Sequence, residues 1–101
     1  MSLQSAVNKH NLSGDWTISG VVKQLDSLSH ALQNLESRGN KKLLVDCGNI
    51  NSIDMTGLQL LHVWMECARI RGVKPQLINL PVDMRHMIQP LGLLGQYLEE
   101  S

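Results

Sequence analysis

The 101-residue sequence predicts one α/β domain over residues 1–101, with helices packed against a small mixed sheet that is mostly parallel. Two observations carry the prediction. Residues 43–79 read as strand, helix, strand, and a helical crossover returns the second strand parallel to the first, nearly always with right-handed sense. Helical apolar stripes also flank this unit on both sides and supply the layer that a small sheet needs.

Taken in order, residues 1–14 are polar and weakly patterned, which fits a short edge strand or a frayed end. "DWTI" (15–18) is strand-like. Val21, Leu25, Leu28, Leu32 and Leu35 then alternate spacings of four and three, one face of a helix. Ser19 suits its N-cap and Gly39 its stop. The run is too short for a coiled coil, so the stripe is expected to pack on the sheet.

Leu43, Leu44 and Val45 are apolar on both faces, as in a central or parallel strand. Gly48 and Asn49 are expected to end it. A second helix runs from about Met55 to Arg71 and stops at Gly72. "VKPQLINL" is the next strand, with Pro75 best placed at its start or at an edge. "PVDMRHMIQP" is a third helix, with Pro81 in its first turn. Met84, Met87, Ile88 and Leu91 form its buried stripe, and Pro90 should end or bend it. The tail from Leu94 onward carries no clear pattern.

Composition excludes several functions. Nine acidic and nine basic residues balance to a net charge of 0, whereas a nucleic-acid binder needs a basic face. Aromatic residues are 3% with no Phe, so base-stacking platforms are absent. Cys47 and Cys67 form no CxxC and read as free buried thiols of a reducing, cytoplasmic protein. "MSLQSAVNKHNLSG" has no apolar run of the signal-peptide kind, and no segment is apolar for long enough to span a bilayer.

Enzyme signatures are missing as well: no phosphate-cradling glycine loop, no HExxH and no GxSxG. His10, His30, His62 and His86 lie on different elements without ligand spacing, so no metal or other cofactor is expected. Asp46 at a strand end could be a catalytic carboxylate, but it has no obvious partner, and a residue that hydrogen-bonds loop amides explains it as well.

"NSIDMTGLQLL" (51–61) stands out. It joins the carboxyl end of a strand to the start of a helix, where α/β proteins build binding sites. Asp54 suits the N-cap, which frees Thr56 from that task. Gly57 leaves room for another backbone to approach Thr56. A phosphate on Thr56 would meet the positive end of the helix dipole and add about −1.5 to −2 charges beside Asp54. That would expel a docked acidic or apolar partner without melting the helix. An ordinary helix start explains the same residues. On a helical wheel at about 100° per residue, Gln59, His62, Glu66 and Arg69 share a narrow polar sector. The remaining apolar arc is wider than one sheet contact needs. Either a neighbouring helix covers the excess, or it is left exposed for a partner, a homodimer included.

The run "LLVDCGNINSIDMTGLQLLHVWMECARIRGVKPQLINLPVDMRHMIQPLGL" resembles the STAS domain of bacterial anti-sigma factor antagonists. The family pattern is an apolar strand ending in Asp, then Asp-x-[Ser/Thr]-Gly-Leu opening a helix, and later Leu-Gly-Leu. Asp46, Asp54, Thr56, Gly57, Leu58 and residues 91–93 match it. The resemblance implies partner switching in a non-enzymatic protein. The unmodified domain binds an anti-sigma factor that is also a serine/threonine kinase, and phosphorylation at Thr56 releases it. Asn51, Ser52, Asp54, Met55, Thr56, Gly57 and His62 are the implied partner-binding residues. The chain also resembles the STAS subunits of bacterial phospholipid-transport ABC complexes, which bind the ATPase subunit, and STAS proteins found beside chemotaxis kinases.

Overall fold

A computed structural model describes residues 7–33, 42–91 and 94–98. Strand β1 (Val7–Trp16) leads to helix α1 (Val21–Gln33), then β2 (Lys42–Ile53), α2 (Met55–Ile70), β3 (Lys74–Ile78) and α3 (Val82–Leu91). A 3₁₀ turn, Gly95–Tyr97, follows. The positions expected at Leu35, Gly39, Gly92 and Leu93, and the first six residues, lie outside the described residues.

The sheet runs β1-β2-β3 with both pairings parallel. This is the α/β arrangement that the sequence predicts. Strands laid down in sequential order by crossovers of one hand put their helices on one face. Burial agrees. Leu43, Val45 and Cys47 of β2 are buried while Lys42, Leu44 and Asp46 between them are more exposed. The buried faces of all three strands meet Leu28, Leu58, Leu61, Met65, Met84 and Ile88 in a single core. β3 is an edge strand among the described residues, as Pro75 requires. Beyond it, Leu98 makes an isolated bridge to Leu77.

Two strands differ from expectation. β1 spans ten residues and ends at Trp16, so Thr17 and Ile18 belong to a turn in which the Gly20 amide donates to the Thr17 carbonyl (2.9 Å). Leu12 and Trp16 point into the core, whereas Lys9, Asn11 and Ser13 are exposed on the open face. β2 passes through Gly48 and Asn49 and continues to Ile53. The register with β1 shifts between Asn11 and Ser13 and again between Gly14 and Asp15. Each shift inserts an extra β2 residue, so these residues make bulges and not an end. The Asp46 carboxylate secures the first bulge by accepting the Gly48 amide (2.9 Å).

The helices follow their stripes with one change. Leu28 is 2% exposed and anchors α1, but Leu25 is 51% exposed and leaves the stripe. Helix α1 also begins one residue later than a Ser19 cap would set: the Gly20 carbonyl accepts the Lys23 amide. At the end of α2, Gly72 adopts φ +98°. The Val73 amide then reaches back to the Ala68 carbonyl (3.3 Å), a Schellman closure with Val73 and Ala68 both buried. Pro90 lies inside the last turn of α3, one residue before its end. Cys47 is buried and its thiol is pushed up to about 12 by desolvation, while Cys67 is only partly buried.

Candidate functional site

The carboxyl end of the sheet is closed by one side chain. Asp54 caps α2: its Oδ1 accepts the Gly57 amide (3.1 Å), and its Oδ2 accepts the Ile18 amide (3.0 Å). A single carboxylate therefore joins the start of α2 to the turn after β1. Next to it, Asp15 Oδ1 accepts from the Thr17 hydroxyl (2.6 Å), the Thr17 amide (2.8 Å) and the Ser52 hydroxyl (3.2 Å). Those bonds, the Thr17 hydroxyl first, hold the Asp15 carboxyl below its ordinary range. Sequence reasoning did not single out Asp15, Thr17 or Ile18: the Ser52 and Asp54 contacts span the β1–β2 crossover, and the local Asp-x-Thr turn falls within a stretch that reads as strand.

Gly57 is explained differently from expectation. The backbone lying against it is the chain's own. A Cβ at this position would stand 2.8 Å from the Trp16 carbonyl carbon and 3.0 Å from the Trp16 Cβ, and would overlap the Trp16 carbonyl oxygen. Only glycine lets the first turn of α2 rest on the end of β1. With Leu58 0% exposed beneath it, the helix start is rigidly seated.

Thr56 is half-buried on this seated turn, and Asp54 does the capping. Exposed apolar side chains lie on the elements that meet here: Met55 (39% exposed) next to Thr56, Ile18 (68%) in the turn tied to Asp54, and Val22 (74%) and Leu25 (51%) on the helix that follows that turn. Val22 and Leu25 are three apart on α1 and form a ridge, and Ile18 stands in the turn that leads into that helix. The Asp54 bond ties the Ile18 backbone, at the entrance to α1, to the start of α2. The apolar arc of α2 is thus divided. α1 covers Trp64, whose indole donates to the Leu28 carbonyl (3.0 Å). Val63 and Ile70 stay exposed.

Asn51 and Ser52 are exposed and line a cleft of about 140 Å³ between the end of β2 and the start of α3, with Pro81 and Asp83 opposite. They stand with Asp54–Gly57. His62 does not. It packs edge-on against Tyr97, ring centroids 6.4 Å apart, and its Nδ1 is buried without a hydrogen-bond partner among the described residues. Two more members of the polar sector are engaged: Glu66 accepts from Arg69 (2.9 Å), Gln96 (2.7 Å) and the Tyr97 hydroxyl, while Gln59 is exposed. Asp46 is not at a strand end but within β2, just before the first bulge, accepting from Gly48 and Asn79 and pairing with Lys9 at 3.3 Å. Its carboxyl is lowered by those partners, the Gly48 amide most. Among the described residues no three His, Cys, Asp or Glu side chains gather as a metal site, and no helix is long and apolar enough to cross a membrane.

A family model described as "Mlab, STAS domain" matches residues 2–99. No curated protein matches the chain significantly. Among solved structures, the chain is similar to a sulfate transporter family protein from Wolinella succinogenes. The two are 17% identical with a TM-score of 0.73 over 97% of this chain and 80% of that one. It is also similar to the SulP transporter STAS domain from Vibrio cholerae, at 14% identity and a TM-score of 0.71 over 96% and 75%. At these identities the likeness shows a shared fold.

Proposed function

The chain belongs to the STAS domain family, and from that premise we propose that it is a non-catalytic docking protein whose hold on its partner is set at Thr56. The partner is a kinase-type anti-sigma factor. Unmodified, the chain offers it the apolar ridge together with Met55 and Thr56. Phosphorylated on Thr56, it presents a dianion at the same place and is released. The supporting observation is a half-buried threonine beside exposed Met55, with a cap supplied by Asp54 that also holds the turn carrying exposed Ile18 and leading into the helix of exposed Val22 and Leu25. Phosphate at the start of α2 is tolerated by the helix dipole, so release does not require unfolding.

A second reading uses the same face. The resemblance to STAS subunits of phospholipid-transport ABC complexes supports it: an accessory subunit that docks constitutively on the ATPase of such a complex. The resemblance to STAS proteins beside chemotaxis kinases would again use this face. Thr56→Glu separates the readings. The switch predicts that the variant keeps its melting temperature and loses the partner that co-purifies from the native cell. An unchanged complex, isolated without phosphate on Thr56 and indifferent to kinase and ATP, contradicts the switch and favours the accessory subunit.

A further inference from the structure

Helix α2 turns a second apolar stripe outward. Leu60, Val63, Cys67 and Ile70 are spaced three, four and three, which puts them on one side of the helix. That side lies nearly opposite Leu58, Leu61, Met65 and Ala68, which are buried in the core. Val63 is 58% and Ile70 79% exposed, and Leu60 and Cys67 are half-buried. The neighbours of α2 meet it on either side of the stripe, α1 at Trp64 and the 3₁₀ turn at Glu66, and leave Val63 and Ile70 open.

The spacing says what fits there. It is symmetric about Met65. Turned end for end, a second copy sets its Ile70 against Leu60 and its Cys67 against Val63. Each contact is then made twice, as a two-fold interface requires. A different protein would need a matching stripe of its own, which a second copy already carries. No stripe residue is charged, and the whole chain has a net charge of 0, so two copies approach without net repulsion. The antiparallel order also sets the positive start of each helix beside the negative end of the other. We propose that α2 pairs antiparallel with α2 of a second copy in a two-fold dimer. Thr56 falls one turn before the stripe and outside the paired length, so the dimer stands independently of the proposed Thr56 switch.

The test is sedimentation equilibrium of the full chain. One helix pair makes a small interface, so a dimer is expected to form as the concentration rises from about 10 µM to about 1 mM. Val63→Glu/Ile70→Glu should weaken it at least about tenfold. Val82→Glu, at an exposed residue of α3, should leave it unchanged. Wild type still monomeric at about 1 mM, or a double variant that dimerises equally, would overturn the proposal. Val63 and Ile70 are exposed, so the double variant is expected to fold, which its melting temperature checks. Mild oxidation reads the orientation. Val63→Cys should cross-link to Cys67 of the second copy, and Val63→Cys/Cys67→Ser should not. No cross-link in the first, or equal cross-linking in both, would overturn the antiparallel pairing.

Discussion

The two ends of α2 are built in opposite ways. At its amino end the polar group is spent inward, with the Asp54 carboxylate bonded to Gly57 and Ile18, and the apolar side chains around it are uncovered. At its carboxyl half the polar side chains of Glu66 and Arg69 are engaged by the 3₁₀ turn, and His62 lies against Tyr97. A helix in isolation should expose its polar stripe and bury its apolar one. Both halves leave apolar side chains exposed, Met55 at the amino end and Val63 and Ile70 in the carboxyl half. The amino end differs in that its cap also ties exposed Ile18 of a second element to it. The difference locates docking by what the fold leaves uncovered, and not by where polar residues fall on a wheel.

Gly57→Ala should damage this design most. The added methyl meets backbone, which cannot rotate away, so the start of α2 must lift from β1. The expected loss is about 3 kcal/mol, the upper part of the overpacking range, read as a lower midpoint in urea. Alanine substitutions on the exposed ridge, such as Val22→Ala, should leave the midpoint unchanged to within about 0.5 kcal/mol. Asp54→Ala removes the cap and the tether to Ile18 together. A loss of about 0.5–2 kcal/mol is expected, with faster hydrogen exchange at the Ile18 and Gly57 amides and none at Tyr97.

The smallest effect belongs to the other end and depends on pH. The Tyr97 hydroxyl, and after it Arg69, holds the Glu66 carboxyl below its ordinary range. Such a group stabilises the fold fully above its unfolded value, about 4.3, and ceases to do so as the pH falls through the folded value. Glu66→Gln should therefore be less stable than wild type by a constant amount near neutrality, and the gap should close below about pH 4. His10, lowered by burial beside Trp64, acts earlier. Its neutral form fits the fold, so wild type should begin to lose stability as the pH falls below about 6.5. A gap between Glu66→Gln and wild type that stays constant down to pH 2 would show that the carboxylate network adds nothing.

Much of this was legible in the sequence, for reasons that also explain the rest. α2, its Asp54 cap and its Gly72 stop are local patterns, and each appears where the spacing puts it. β1 was mostly illegible because one face of the sheet is open. Polar Lys9, Asn11 and Ser13 alternate with His10 and Leu12, and a half-solvated parallel strand resembles a loop. Gly48 and Asn49 imitate a strand end, and only pairing to β1 reveals a bulge. In the site, Thr56, Asp54 and Gly57 were found from sequence, but Gly57's neighbour Trp16 lies 41 positions upstream in the chain. One signal went unused: Val22 is apolar yet off the Val21 and Leu28 stripe, and apolar Ile18 stands just ahead of the same helix.

The most direct test of the docking face is to map amide ¹H–¹⁵N shifts of the labelled chain when the protein that co-purifies from the native cell is added. Perturbation is expected at Ile18, Val22, Leu25 and Met55–Gly57, with Arg69, Gln96 and Tyr97 undisturbed. Perturbation centred on Arg69, Gln96 and Tyr97, with the amino end of α2 silent, would contradict it.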